Sequence, residues 1–214
     1  MGRKPLIARE DAVAAALEII DTDGPGALSL ERVAGRLGVK APSLYNHFSD
    51  KAEILAEVAR AVLLEVPVVP DPAATDDWKS WLVEASTAVR HTLLTHQRAA
   101  PIVVEYFPRG MLERLYAEYC RILGEHGVPP RFQMFILEAV HRMTIGSAVC
   151  VATGRPEMAT PSNPAAFDTD VVDALHTGDW SGDRFFTGML HAFLDGIEVQ
   201  IGRESMAGQA LPQH

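Results

Sequence analysis

The stretch from Ser29 to Ser49 admits few structures. Ser29 is a helix-capping residue, and Val33, Ala34 and Leu37 follow it at helical spacing. Gly38 stops that helix after about two turns. Pro42 then opens another, at the first helical position, where a missing N–H costs nothing. The result is a short helix, a turn Gly38-Val39-Lys40, and a second short helix over 41–49: a helix-turn-helix. At roughly 100° per residue, Ala41 and Phe48 fall within about 60° of Leu44, so these three face Val33, Ala34 and Leu37. Pro42 and Asn46 point the other way, flanked by Ser43 and Tyr45. Such side chains beside Lys40 solvate a helix poorly compared with Glu or Lys, yet hydrogen-bond well inside a groove. On spacing alone the unit fits either a DNA reader or a small helical hairpin with a polar surface.

The rest of the chain also reads as helix, and the fold class expected is all-α. Ala12, Val13, Ala16, Leu17, Ile19 and Ile20 mark a helix over 9–21, with Glu10 and Asp11 in its first turn and Gly24-Pro25-Gly26 behind it. Asp50 and Glu53 form a capping box for a helix running to about Leu64. Pro67, Pro70 and Pro72 give a short extended linker. Further helices are expected near 76–95, 98–106, 110–126, 130–152, 167–176 and 181–202, with 154–164 as a mobile loop. The sequence shows no alternating strand pattern and no internal repeat.

Composition narrows the function. At 48% hydrophobic and 22% charged, the 214 residues are those of a globular protein. The longest stretch free of Asp, Glu, Lys and Arg, Met143 to Gly154, is too short to cross a bilayer. No apolar run separates Arg3 and Lys4 from Arg9, Glu10 and Asp11, and Leu6 stands where myristoylation prefers Ser or Thr. The expected compartment is the cytoplasm, with no membrane partner. Cys120 and Cys150 make neither a disulfide framework nor a zinc cluster. A net charge of −9 argues against nucleic-acid binding over the whole surface. It leaves room for a local basic site, because charges more than about 8 Å apart are largely screened in salt water. Residues 24–51 carry Arg32, Arg36, Lys40 and Lys51 against only Glu31 and Asp50. There is no nucleophile with an adjacent base, no phosphate-binding glycine loop and no perturbed carboxylate pair, so neither an enzyme nor a cofactor is expected.

Larger motifs sharpen this. The run Ala12-Val13-Ala14-Ala15-Ala16-Leu17-Glu18, then Leu30-Glu31-Arg32-Val33-Ala34, Leu37-Gly38-Val39, Ser43-Leu44-Tyr45-Asn46-His47-Phe48 and Lys51 resembles the tetracycline-repressor (TetR) family of bacterial transcription regulators. The resemblance implies a homodimer with a three-helix, helix-turn-helix DNA-binding domain over 1–53 and a larger helical ligand-binding and dimerisation domain over 54–214. It implies a ligand-responsive regulator, a repressor, that binds a palindromic double-stranded DNA operator and is released by a small, largely apolar or aromatic effector. The competing reading is a helical small-molecule-binding or interaction protein without operator binding. By resemblance, Pro42, Ser43, Tyr45, Asn46 and His47 belong to the recognition helix. Tyr45, His47, Lys51 and Ser29 stand at phosphate-contacting positions, and Lys40 and Ser43 are the choices for base contacts. Tyr45 has an alternative, packing its ring on the first helix, and His47 has one as a buried structural residue. Glu31 departs from the pattern; it either accepts from cytosine N4 or stabilises the helix start.

The likeness continues in Trp78-Lys79-x-Trp81-Leu82, Arg90-His91-Thr92-Leu93-Leu94-Thr95-His96, Thr144-Ile145-Gly146 and Phe186-x-x-Gly188-x-x-x-x-Phe193-x-x-Gly196-Ile197-Glu198, which resemble the tetracycline-repressor branch. That branch holds its drug as a magnesium complex through a histidine and a glutamate. Val103 and Cys150 fall at or near those positions here, and neither offers magnesium an oxygen ligand. The expected pocket is apolar and aromatic, with Trp81, Val103, Tyr106, Phe107, Tyr116, Phe135, Met143 and Trp180 as candidates and no metal ligand. Glu138, His141 and Arg142 either orient a ligand or lie at a surface. Phe185, Phe186, Met189, Leu190, Phe193, Leu194, Ile197 and Ile201 make a stripe wider than one partner needs, and Gly146, Ser147 and Ala148 permit close helix approach. A four-helix dimer interface from 130–152 and 181–202 is the expectation.

Overall fold

A computed structural model describes residues 8–67, 77–154 and 182–209. Among these, every regular element is a helix: α1 (Arg9–Asp23), α2 (Leu30–Arg36), α3 (Lys51–Leu64), α4 (Trp78–Thr95), α5 (Ala100–Glu105), α6 (Arg109–Glu125), α7 (Pro130–Ala152) and α8 (Gly182–Gln209), with 3-10 turns at Pro25–Ala27 and Ala41–Ser43. The all-α expectation holds. The helix expected near 167–176, most of the proline linker, the 154–164 loop beyond Gly154 and Trp180 lie outside the described residues.

Packing forms two units: residues 8–67 with His91–Met111, and residues 77–90 with 112–154 and 182–209. In the first, α3 packs on both α1 and α5. In the first unit α1 buries Ala12, Ala16, Ile19 and Ile20, and α3 buries Ile54, Val58, Ala59 and Val62, both at helical spacing. Local chemistry sets the boundaries. The Ser29 hydroxyl accepts from the Arg32 amide at 3.1 Å, and the Asp50 carboxylate accepts from the Glu53 amide at 2.8 Å. The Glu53 carboxylate turns back as a capping box requires, but it reaches the Ser49 amide, at 2.7 Å, rather than that of Asp50. Gly38, at φ 66°, ends α2, with the Val39 amide bonded to the Ala34 carbonyl and the Gly38 amide to the Gly35 carbonyl.

The second unit is built on Trp81 and Leu82 of α4, Leu123 of α6, Ile136 and Leu137 of α7, and Phe186, Leu190, Leu194 and Ile197 of α8. The wide stripe on α8 therefore splits in two. Those four residues form the buried seam, while Met189, Phe193 and Ile201 are only half covered. Arg90 is 2% exposed; its guanidinium donates to the Ser147 hydroxyl at 2.9 Å, pairs with Asp183 and lies 5.2 Å from the Phe186 ring. Ser147 thus serves a bond within the chain. α7 is long and apolar enough by length and composition to cross a membrane. Its apolar seam, however, packs Ile136, Leu137 and Val140 into this core, and Glu138 and Arg142 pair on another face.

Candidate nucleic-acid interface and effector cleft

The first unit holds residues 40–51 as a tight, outward-facing rib. The segment expected to form a regular helix over 41–49 is instead the 3-10 turn Ala41–Ser43, followed by turns in which the His47 and Phe48 amides both bond the Leu44 carbonyl. Leu44 and Phe48 are buried, as their spacing requires, at 0% and 1% exposure. The opposite side faces solvent: Lys40, Pro42, Tyr45 and Asn46 are exposed, with Ser43 and His47 half-buried beside them. Tyr45 is 54% exposed. Lys40 makes no hydrogen bond or ion pair with the described residues, whereas Lys51 reaches the Pro25 carbonyl at 3.5 Å. Arg32 and Arg36 are ion-paired, to Asp23 and Glu18. The local basic excess therefore rests on Lys40 and Lys51. The Ser29 hydroxyl caps α2 as an acceptor, and Glu31 sits exposed in the first turn of α2, where a carboxylate suits the helix dipole.

One residue escaped the sequence reading. Arg9, at the start of α1, donates to the His47 carbonyl and to Glu53, at 2.7 Å, and lies 4.4 Å from the Phe48 ring centroid. It ties α1, the rib and α3 together. The Glu53 carboxyl is held down to about 2 by the Ser49 amide, then by Arg9 and the Ser49 hydroxyl. Nothing local in the sequence marks this arginine; its partners lie 38 to 48 residues away. His96, after α4, sits in the same unit between Asp21, at 2.7 Å, and Glu65, at 2.8 Å. Burial lowers its pKa, but the two carboxylates outweigh that and leave it raised.

The second unit contains a small cleft, half open to solvent, between α4, α6 and α7. Leu82, Ala85, Val89, Leu137 and Val140 supply most of its wall, with Tyr116 and Tyr119 on the α6 side. Of the seven expected ligand residues among the described ones, Tyr116 lines it. Trp81 is 4% exposed and packs behind, its ring 4.7 Å from that of Tyr119. Met143 is half-buried against the core, and Phe135, 55% exposed, lies 6.0 Å from Phe193 on another face of α7. Val103, Tyr106 and Phe107 belong to the first unit, Val103 fully buried there. His141 lines the cleft, its ring 6.2 Å from that of Tyr116, and burial lowers its pKa. Glu138 and Arg142 pair with each other at 2.9 Å outside it.

Comparison with known proteins places both features in one family. The model of bacterial regulatory proteins, tetR family, matches residues 12–58. Tetracycline repressor protein class D from Escherichia coli is 25% identical over 199 residues, 90% of each chain. A solved TetR-family transcriptional regulator from Streptomyces coelicolor is 30% identical with a TM-score of 0.62, covering 69% of this chain and 84% of that one. This chain belongs to the tetR family of bacterial regulatory proteins. A solved structure of BioQ with its natural double-stranded DNA operator is also similar, at 26% identity and a TM-score of 0.59, over 80% of this chain and 99% of that one. In this tetR-family chain the matched stretch begins in α1 and ends in α3, so it contains the outward-facing rib.

Proposed function

We propose that the chain is a ligand-responsive transcriptional regulator, a repressor, that binds a palindromic operator as a homodimer in the cytoplasm and leaves it when a small, largely apolar or aromatic effector occupies the cleft. The observation carrying this is the rib itself: Leu44 and Phe48 anchor it inside while Lys40, Pro42, Tyr45 and Asn46 are turned outward beside Lys51. Those are phosphate- and base-contacting groups on a support rigid enough to set their register. The family match over residues 12–58 and the operator-bound relative support the same reading. Lys40 and Ser43 are assigned to base edges; Tyr45, His47 and Lys51 to phosphates. Ser29 keeps a phosphate role, because its hydroxyl oxygen accepts from the Arg32 amide and still has its proton to donate.

The half-covered Phe193 and exposed Phe135 mark the face on which two copies join through α7 and α8. A helix-turn-helix dimer reads half-sites about one DNA turn apart, which makes the operator palindromic. The effector acts by favouring a spacing of the two ribs that no longer fits that operator. Tetracycline with magnesium is not that effector, because Val103 and Cys150 occupy the positions where the drug–metal complex needs oxygen and imidazole ligands.

The test is binding to the DNA upstream of the chain's own gene across a salt series. Log K falls steeply and linearly with log salt, as released counterions require, and Lys51→Ala lowers the slope by about one. Affinity that ignores salt, or a Lys51→Ala protein that binds as the wild type does, returns the chain to the reading of a helical ligand-binding protein without an operator.

A further inference from the structure

The cleft in the second unit has a chemical signature narrower than "apolar". Two of its four hydroxyl groups are occupied: that of Ser86 donates to the Leu82 carbonyl at 2.7 Å, and that of Thr144 to the Val140 carbonyl at 2.8 Å. The Tyr116 hydroxyl is different. Its oxygen is buried and completes no hydrogen bond of good geometry, although the Glu138 carboxylate lies close enough to act on its proton. Burial, followed by the nearby negative charge of Glu138, pushes its pKa up to about 12, so it carries its proton throughout the physiological range. Glu138 itself is held by Arg142. A desolvated O–H without a well-aligned acceptor is costly and favours any ligand that supplies one.

The charge pattern is as informative. None of the described residues lining the cleft is a Lys, Arg, Asp or Glu. His141, its titratable imidazole, is shifted by burial toward the neutral form, with Glu138 opposing and Arg142 reinforcing that shift. The outlying charges Glu138 and Arg142 cancel as a pair. An anion entering this cleft would lose its hydration without gaining a cation.

Resting on the proposed effector role of this cleft, we infer that the effector is an uncharged, flat aromatic molecule bearing one hydrogen-bond acceptor, and that Tyr116 is the residue that selects it by donating its hydroxyl proton to that acceptor. Leu82, Val89 and Leu137 supply apolar wall for such a molecule, and Tyr119 adds an aromatic one.

Three probes of similar outline separate the elements of this claim: flavone, neutral with a ketone acceptor; 2-phenylnaphthalene, neutral with none; and 2-phenylquinoline-4-carboxylate, an anion. Calorimetric titration of the full-length dimer is expected to rank flavone at least tenfold tighter than the carboxylate. Tyr116→Phe is expected to weaken flavone about tenfold, the size of one net hydrogen bond, while leaving 2-phenylnaphthalene unchanged. The ranking in the wild-type protein stands even should the variant fold poorly. Tighter binding of the carboxylate, flavone affinity unaltered in Tyr116→Phe, or no saturable flavone binding overturns the inference. Operator binding measured alongside keeps the two claims apart: flavone that binds through Tyr116 without displacing DNA contradicts the regulatory reading alone, and a salt-dependent operator complex insensitive to all three probes contradicts this inference alone.

Discussion

Two side chains in the first unit carry more than their exposure suggests. Arg9 joins the His47 carbonyl, Glu53 and Glu57 to the Phe48 ring, and it points into the molecule, away from the outward side of the rib. Arg9→Met keeps the apolar stem and removes the charge. It is expected to cost about 1 kcal/mol in urea unfolding, as a half-exposed network does, and to weaken operator binding several-fold. Its salt slope stays at the wild-type value because no phosphate contact is lost, which separates it from Lys51→Ala. His96 makes a pH-dependent contribution of a definite sign. Its pKa is raised in the folded state despite burial, by Glu65 and Asp21. The stabilisation is therefore complete below the unfolded value near 6.5 and is lost as pH rises through the higher folded value. The melting temperature followed from pH 6 to 9 should fall over that window, and His96→Gln should remove that part of the fall. An unaltered profile in the variant would show that the two carboxylates do not act on the imidazole.

At the scale of elements, the rib's backbone hydrogen bonds are local turns, so Leu44, Phe48 and the Arg9 bond to the His47 carbonyl supply the anchorage. Phe48→Ala should cost about 3–5 kcal/mol and abolish operator binding at temperatures where α1 and α3 remain helical by circular dichroism. The sequence made the elements legible wherever the cause is local. Ser29, Gly38 and Asp50 each bond within five residues, and the helices they bound begin and end where those residues dictate. The winding of 41–47 was not legible, because i→i+3 and i→i+4 bonds differ too little for local propensity to choose between them. That choice falls to packing and to Arg9, 38 residues away. The cleft failed to show for a related reason. Its walls depend on how α4, α6 and α7 are rotated against one another, and selecting large aromatics finds core as readily as cavity. Trp81 is the example, buried behind Tyr119 rather than facing the space, while the smaller Ala85 and Ser86 line it.

For the whole molecule, the account joins a two-fold DNA reader to an effector site within one chain, as the family resemblance first suggested and membership of the tetR family now supports. The dimer sets the distance between two copies of the rib, so any change in base preference must occur twice, related by the operator's symmetry. This makes Ser43 the most direct probe, since it is half-buried at the rim of the outward side and is assigned to a base edge. The decisive measurement is selection of preferred operators from a randomised pool by the wild-type protein and by Ser43→Asn, at fixed salt. The account predicts a changed preference at one base-pair position in each half-site, mirrored about the centre, with the remaining positions retained. An identical preferred sequence for both proteins, or a change confined to one half, would contradict it.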